Sequence, residues 1–180
     1  MSFNDIAEFV SSRRKFGDLQ EKRYLSNENL LKEKKGISDF STCKRNISVI
    51  TFAPGDILIG NIRPYFKKIF FSNCHGGCDA DVLVIRAKEV RFREWLYCAL
   101  SQDAFFDYIM SGATGTKMPR GDKDHILLYK INTPSDELLD KFIKFTQTNF
   151  EMIQTNIDEQ NRLEILQQLF MSTLIEQAIL

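Results

Sequence analysis

The sequence has 180 residues, of which 43% are hydrophobic, and it contains 15 phenylalanines. This length allows one good-sized core, or one domain with an appended element, and the composition excludes a disordered chain. No apolar run reaches the length of a membrane span, and the first residues lack the pattern of a signal peptide. The sequence therefore predicts a soluble cytoplasmic protein.

The charges cancel over the whole chain but are unevenly distributed. Residues 1–133 contain 21 Lys and Arg against 16 Asp and Glu, a net charge of +5. Residues 134–180 contain 3 against 8, a net charge of −5. A mildly basic body permits binding to a polyanion without requiring it.

Four cysteines are present, Cys43, Cys74, Cys78 and Cys98, and the sequence predicts that they are thiols. The pair at 74 and 78 flanks His75, which resembles part of a zinc site. However, no second close pair of ligands exists, so no metal site is predicted.

Strand signals are concentrated between residues 47 and 86, after an amphipathic start, a strand end near residue 24 and an exposed loop at 32–36. Turn residues separate the apolar runs at Pro54-Gly55 and in the glycine-containing stretch 73–79. The predicted strands cover 47–52, 56–62, 67–71 and 81–86. Short adjacent strands of this kind predict a curled sheet.

The hydrophobic period then becomes helical. Residues 93–110 predict two helices with a joint at 101–103, and Gly112 ends the second one. A polar loop follows at 112–123, and 125–131 predicts a last strand. The body therefore ends near residue 133.

The loop at residues 112–123, which we call the glycine-rich loop, is too rich in glycine for a helix and too polar for a core strand. It carries Thr114, Thr116, Lys117, Arg120 and Lys123. Taken alone, such a loop is most often an ordinary basic surface loop, and contact with DNA is the alternative.

Residues 134–180 predict a helix that begins after the N-cap Ser135 and contains no glycine or further proline. An unbroken helix of about 45 residues is roughly 65 Å long. A helix of this length cannot bury its apolar seam on its own domain, so it needs a partner helix. The alternative is two helices folded back on the body. The seam residues predicted to mediate dimerisation are Phe150, Ile153, Ile157, Leu163, Leu166 and Phe170.

Five segments, in order, resemble the DNA-specificity subunits of type I restriction–modification systems: YLSNEN (24–29), GDILI (55–59), NIRPYFKK (61–68), GGCD (76–79) and GTKMPR (115–120). The resemblance implies an α/β (α+β) target recognition domain at 1–133, with a curled sheet and flanking helices. It also implies a helical spacer of coiled-coil type at 134–180. In that family the recognition domain contacts the DNA major groove, and the subunit performs no chemistry.

The resemblance also implies partners. The subunit directs methyltransferase subunits, which hold S-adenosylmethionine, and through them a restriction subunit, to a bipartite site; this chain itself needs no cofactor. The usual family member has two recognition domains and two spacer helices, whereas this sequence has one of each. It therefore resembles a half-subunit that pairs with a second copy or with another half.

The same resemblance suggests roles for individual residues. Arg63 and Arg120, each beside a proline, are candidates for bidentate contact with guanine. Tyr65 is a candidate for stacking or for a phosphate contact, and Thr116 belongs to the contacting loop. Candidate phosphate contacts are Lys44, Arg45, Lys67, Lys68, Lys117 and Lys123. Residues 38–46, which match no family motif, are a further candidate for sequence preference.

Two other classes of protein remain open from the residues. A metal-dependent nuclease needs clustered carboxylates, and Asp56, Asp79 and Asp81 come nearest to such a set. No nucleotide-binding loop or nucleophile motif is present, so no catalytic residue is predicted. A protein-binding adaptor would use the C-terminal helix alone.

Overall fold

The computed structural model describes residues 2–41, 43 and 46–179, with the backbone alone for residues 147, 151, 154, 157, 158, 161 and 175–179. The chain divides into two compact units, Met1–Leu139 and Asp140–Leu180. Among the described residues, no helix is both long and apolar enough to cross a membrane.

The strands of the described residues form two four-stranded sheets. The first sheet has the order β1-β8-β5-β6 and is antiparallel throughout, with β1 at Ala7–Phe9, β5 at Ile57–Gly60, β6 at Ile69–Phe71 and β8 at Val82–Ala87. The second has the order β2-β4-β7-β3, with β2 at Arg13–Lys15, β3 at Tyr24–Leu25, β4 at Ser48–Phe52 and β7 at Gly76–Cys78. The predicted mixed α/β class is confirmed, although the strands belong to two sheets rather than one.

The inner strand β5 explains the layering, because both of its faces are buried. Ile57 and Ile59 pack in a cluster with helix residues such as Leu96 and Phe106. Leu58 points the other way, since successive side chains of a strand alternate, and it packs with residues of the second sheet such as Phe52. The first sheet therefore lies between the helices and the second sheet.

The helices of the first unit are α1 (Phe3–Ile6), α2 (Arg93–Leu100), α3 (Asp103–Ser111) and α4 (Lys123–Leu127), and 3-10 turns lie at Phe16–Asp18, Pro64–Phe66 and Val90–Phe92. The predicted joint between α2 and α3 is confirmed. So is the end of α3 at Gly112, where a Cβ atom would lie 2.2 Å from the His125 ring.

The prediction of a glycine turn at 73–79 is wrong, because Gly76–Cys78 is the buried strand β7 between β4 and β3. A Cβ at Gly76 would lie 2.4 Å from the Phe52 ring, and one at Gly77 would lie 2.4 Å from Val49. Glycine is required at these two strand positions because neighbouring side chains pack where a Cβ atom would otherwise lie.

The predicted strand at 125–131 is also wrong, because α4 occupies its first half. The side chain of Asp122 caps this helix by accepting a hydrogen bond from the His125 N–H at 2.9 Å. Ile126 and Ile131 are both buried, which produced the strand-like pattern.

The C-terminal element α5 is a single helix, Asp136–Ile179, rather than two helices folded back. Ser135 caps it as predicted: the Leu138 N–H lies 3.3 Å from the Ser135 hydroxyl, and the Leu139 N–H donates to the Ser135 carbonyl.

Candidate nucleic-acid interface

Two of the segments predicted to be functional lie side by side. The main-chain N–H of Arg63 donates to the Pro119 carbonyl at 2.8 Å, and Ile62 forms a β-bridge with Arg120. Arg120 also exchanges two main-chain hydrogen bonds with Thr114, each of 2.9 Å. The glycine-rich loop is therefore folded back on itself and attached to residues 61–68, which we call the Arg-Pro segment.

The backbone of the Arg-Pro segment is strained at both ends of its 3-10 turn. Arg63 has φ 52° and Lys67 has φ 50°, in the left-handed region that residues with a side chain disfavour. Such conformations cost about 1–3 kcal/mol each and persist only where the surroundings impose them. The Nε atom of Arg63 is buried without a hydrogen-bond partner among the described residues.

Residues 32–34, which the sequence predicted as part of an exposed loop, hold the Lys67 end of this turn. The N–H groups of Glu33 and Lys34 donate to the carbonyls of Phe66 and Lys67, each at 2.9 Å. Lys32 places its Nζ 4.0 Å from the centre of the Phe66 ring. The sequence analysis did not predict these contacts between residues 32–34 and residues 66–67, because they join main-chain atoms of segments that are far apart in sequence.

The two lysines of the Arg-Pro segment are engaged by other parts of the fold. Lys67 lies 2.9 Å from Asp103, the first residue of α3, and this hydrogen bond raises the pKa of Lys67. Lys68 is only 9% exposed and donates to the Asn27 carbonyl at 2.6 Å. Burial lowers the pKa of Lys68. Both ammonium groups therefore have partners within the fold, and the predicted phosphate contacts of these lysines stay predictions.

The remaining candidates are more accessible. Tyr65 is 44% exposed, with its ring edge-on to Phe66 at 4.7 Å between centres. Thr116 and Lys117 are exposed in the glycine-rich loop. Lys123 begins α4 and holds its Nζ 5.5 Å from the centre of the Phe9 ring. Arg120 is exposed and pairs with Asp81 at 3.0 Å. The predicted contacts Lys44 and Arg45 lie outside the described residues.

A cleft of about 490 Å³ lies beside these residues. Its lining includes Arg63, Lys68 and Met118 together with residues that sequence reasoning assigned no contact role: Ser26, Asn27, Glu28, Ile62, Phe66, Asp79 and Asp81. The Oδ1 atom of Asn27 is buried without a hydrogen-bond partner among the described residues. A Cβ at Gly60 would lie 2.4 Å from that atom. The family-like motif at 24–29 was the signal that could have identified Asn27.

The carboxylates of the nuclease hypothesis do not converge. Asp56 is 1% exposed and forms a two-point ion pair with Arg86, with both N–O distances 2.7 Å. Burial raises the pKa of Asp79, whose side chain accepts the Asp81 N–H at 2.9 Å. Among the described residues, no group of His, Cys, Asp and Glu is placed to hold a metal ion. Cys74 and Cys78 are buried thiols with raised pKa values, a consequence of burial that disfavours the thiolate needed by zinc.

In the unit Asp140–Leu180, α5 carries a series of exposed apolar side chains. Four of the six predicted seam residues, Ile153, Leu163, Leu166 and Phe170, are more than half exposed, and Phe150 is half-buried. The side chain of Ile157 lies outside the described residues.

The mixed α/β fold of this chain is similar to that of solved S (specificity) subunits of type I restriction–modification systems. A solved structure of the type I R-M system, described for its complex assembly and conformational transition, has a TM-score of 0.65 and 16% identity. The HsdS subunit from Thermoanaerobacter tengcongensis gives 0.61 and 18%, and the S subunit from M. genitalium gives 0.51 and 15%.

Each of these similarities covers 86% of this chain but only 42%, 42% and 39% of the respective neighbours. The chain thus spans about two fifths of the length of the structures it matches. No protein-family model matches the sequence, and no curated protein matches it.

Proposed function

We propose that this chain is a DNA-specificity subunit of a type I restriction–modification system and that it recognises one half of a bipartite site. The observation that carries the proposal is the similarity of 86% of the chain to S subunits. In this proposal residues 1–133 form one target recognition domain, and residues 134–180 form one spacer helix.

The DNA-facing surface in this proposal consists of the glycine-rich loop and the Arg-Pro segment, since main-chain hydrogen bonds join them. Arg63 and Arg120 contact bases, because a guanidinium can donate two parallel hydrogen bonds to guanine. Tyr65, Thr116, Lys117 and Lys123 contact the sugar–phosphate backbone. Lys67 and Lys68 hold the surface in shape through Asp103 and Asn27.

The C-terminal helix supplies the second half of the site by pairing with a second copy or another half-subunit. Exposed Leu163, Leu166 and Phe170 support this pairing, because apolar side chains at three- and four-residue spacing form one stripe on a helix. The net charge of −5 on residues 134–180 favours contact with protein over contact with phosphate. A two-fold pair of recognition domains reads an interrupted palindrome.

The partners in this proposal are methyltransferase subunits, which bind S-adenosylmethionine, and a restriction subunit that joins through the complex. The chain itself performs no chemistry, and the complex works on DNA in the cytoplasm. The burial of Asp56 in an ion pair with Arg86 supports a structural role for that carboxylate, as opposed to metal binding.

The proposal is tested by mapping methylated bases in a host that carries this chain together with its methyltransferase. We expect a symmetric, interrupted motif, and we expect no such motif in a matched host that carries the methyltransferase alone. Identical methylation in the two hosts contradicts the proposal. An adaptor that uses α5 alone would leave the purified chain without affinity for DNA at any salt concentration.

A further inference from the structure

The ion pair between Arg120 and Asp81 joins two residues whose backbones are both fixed. Arg120 is held by its paired hydrogen bonds with Thr114. Asp81 accepts the Asn61 N–H at 2.8 Å through its carbonyl and donates its own N–H to Asp79 at 2.9 Å. The two side chains therefore extend from backbone positions that main-chain hydrogen bonds hold in place.

The contact itself engages one edge of the guanidinium. Nη2 of Arg120 lies 3.0 Å from Oδ1 of Asp81. Within the described residues, Asp81 is the ion-pair partner that the structure gives Arg120. An arginine side chain presents several N–H donors in a rigid fork. One contact with Asp81 leaves Nη1 and the second N–H of Nη2 for another partner.

The charges of Arg120 and Asp81 indicate which part of DNA the Arg120 guanidinium is suited to contact. A carboxylate beside the guanidinium repels phosphate, so the pair is poorly suited to the DNA backbone. The edge of guanine in the major groove offers two adjacent acceptors, O6 and N7, that match two N–H groups of one arginine. A guanidinium that is already oriented also loses less side-chain freedom when it binds.

We propose that Asp81 is a positioning residue that orients the guanidinium of Arg120 for a bidentate contact with one guanine in the DNA site. This inference rests on the proposed function and adds to it a residue that determines specificity. It gives a role to one of the carboxylates that the nuclease hypothesis left unexplained. It also places Asp81, in the lining of the cleft, beside the DNA-facing surface.

The test compares Asp81→Asn, Asp81→Ala and Arg120→Ala in the full chain with its methyltransferase. Binding is measured to the mapped site and to duplexes that change one base pair at a time. We expect all three variants to lose discrimination at the same base pair, by roughly tenfold or more for Arg120→Ala. Discrimination at the other positions should remain. The Asp81 variants should fold, because the main-chain contacts of Asp81 do not use its side chain.

Asp18→Asn is the matched control, because Asp18 is exposed and the substitution changes the net charge by the same amount. It should change the affinity for all duplexes by the same factor, without a change in discrimination at any one base pair. The double variant Asp81→Ala/Arg120→Ala should lose no more discrimination than Arg120→Ala alone, since the two residues act as a unit.

The possible failures are distinguishable. If the unmodified chain and its methyltransferase show no sequence preference, the proposed function fails and this inference fails with it. If the unmodified chain is selective and both Asp81 variants keep full discrimination, this inference alone is overturned. The same conclusion follows if the Asp81 variants relax a different base pair from Arg120→Ala.

Discussion

Asp103, the first residue of α3, lies 2.9 Å from Lys67 and 2.5 Å from Lys34, and it thereby joins the helix to both of the segments that meet at Phe66. The hydrogen bonds from Lys34 and Lys67 lower the pKa of Asp103. The helix layer thus contributes to the surface on which Tyr65 and Arg63 lie.

We expect Asp103→Asn to lower the stability of the protein at neutral pH. A carboxyl whose pKa is lower in the folded state stabilises the fold above its unfolded pKa, and this contribution is lost as pH falls through the folded value. The difference between variant and parent should therefore shrink as the pH falls from the unfolded pKa of Asp103 and disappear once the pH is below its lowered folded pKa. Denaturant unfolding at several pH values measures it. Asp18→Asn, which neutralises an exposed carboxyl outside this contact, is the control. A loss that persists in acid would contradict this origin.

The second prediction separates the backbone role of Arg63 from its side chain. Glycine adopts φ 52° freely and alanine does not, so Arg63→Gly should be about 1 kcal/mol more stable than Arg63→Ala. Both variants remove the guanidinium and should weaken specific DNA binding equally. Chemical unfolding and DNA binding in the presence of the methyltransferase measure the two effects. Equal stability of the two variants would show that residue 63 is not strained.

The third prediction concerns Lys117, which is exposed at the tip of the glycine-rich loop. A phosphate contact carries no sequence information, so Lys117→Ala should weaken binding to all duplexes by a similar factor. The slope of log affinity against log salt should fall by about one. Lys88→Ala is the control, because Lys88 follows the end of β8 that is distant from Asp81. A change confined to one base pair would assign Lys117 to base contact instead.

The fourth prediction concerns association through α5. We expect the chain to sediment as a dimer at tens of micromolar, and Leu166→Glu or Phe170→Glu to convert it to a monomer, because a charge at a buried apolar position is costly. The substitution Gln167→Glu adds the same charge beside these residues and should leave the dimer intact. A parent chain that is monomeric under these conditions argues against pairing with a second copy.

Much of the fold was predictable from local patterns. Strand β5 and the pair α2 and α3 have apolar residues at the period of their element, and the joint between the helices is marked by polar residues. The errors arose where a residue has two uses. Gly76 was predicted to lie in a turn, but in the structure it lies in a strand and allows the Phe52 ring to approach the backbone. Ile126 was predicted to lie in a strand, but it lies in a helix that Asp122 caps.

The candidate site was predictable in its segments but not in its contacts. The sequence identified the Arg-Pro segment and the glycine-rich loop from family-like residues. It could not show that Lys68 reaches the Asn27 carbonyl or that Lys67 reaches Asp103, because these partners lie far away in the chain. Two adjacent lysines in a sequence predict an exposed site, and only the folded structure shows that each has a partner.

The glycine-rich loop is attached to the Arg-Pro segment through main-chain atoms: the Arg63 N–H, the Pro119 carbonyl and the bridge between Ile62 and Arg120. Such attachments do not depend on which side chains the loop carries, apart from the residues that set its turns. Substitutions at exposed positions such as Thr116 and Lys117 therefore leave the anchor intact. The exposed side chains of the loop can therefore change during evolution, and with them the groups that the loop binds, while its main-chain attachment to the Arg-Pro segment stays the same.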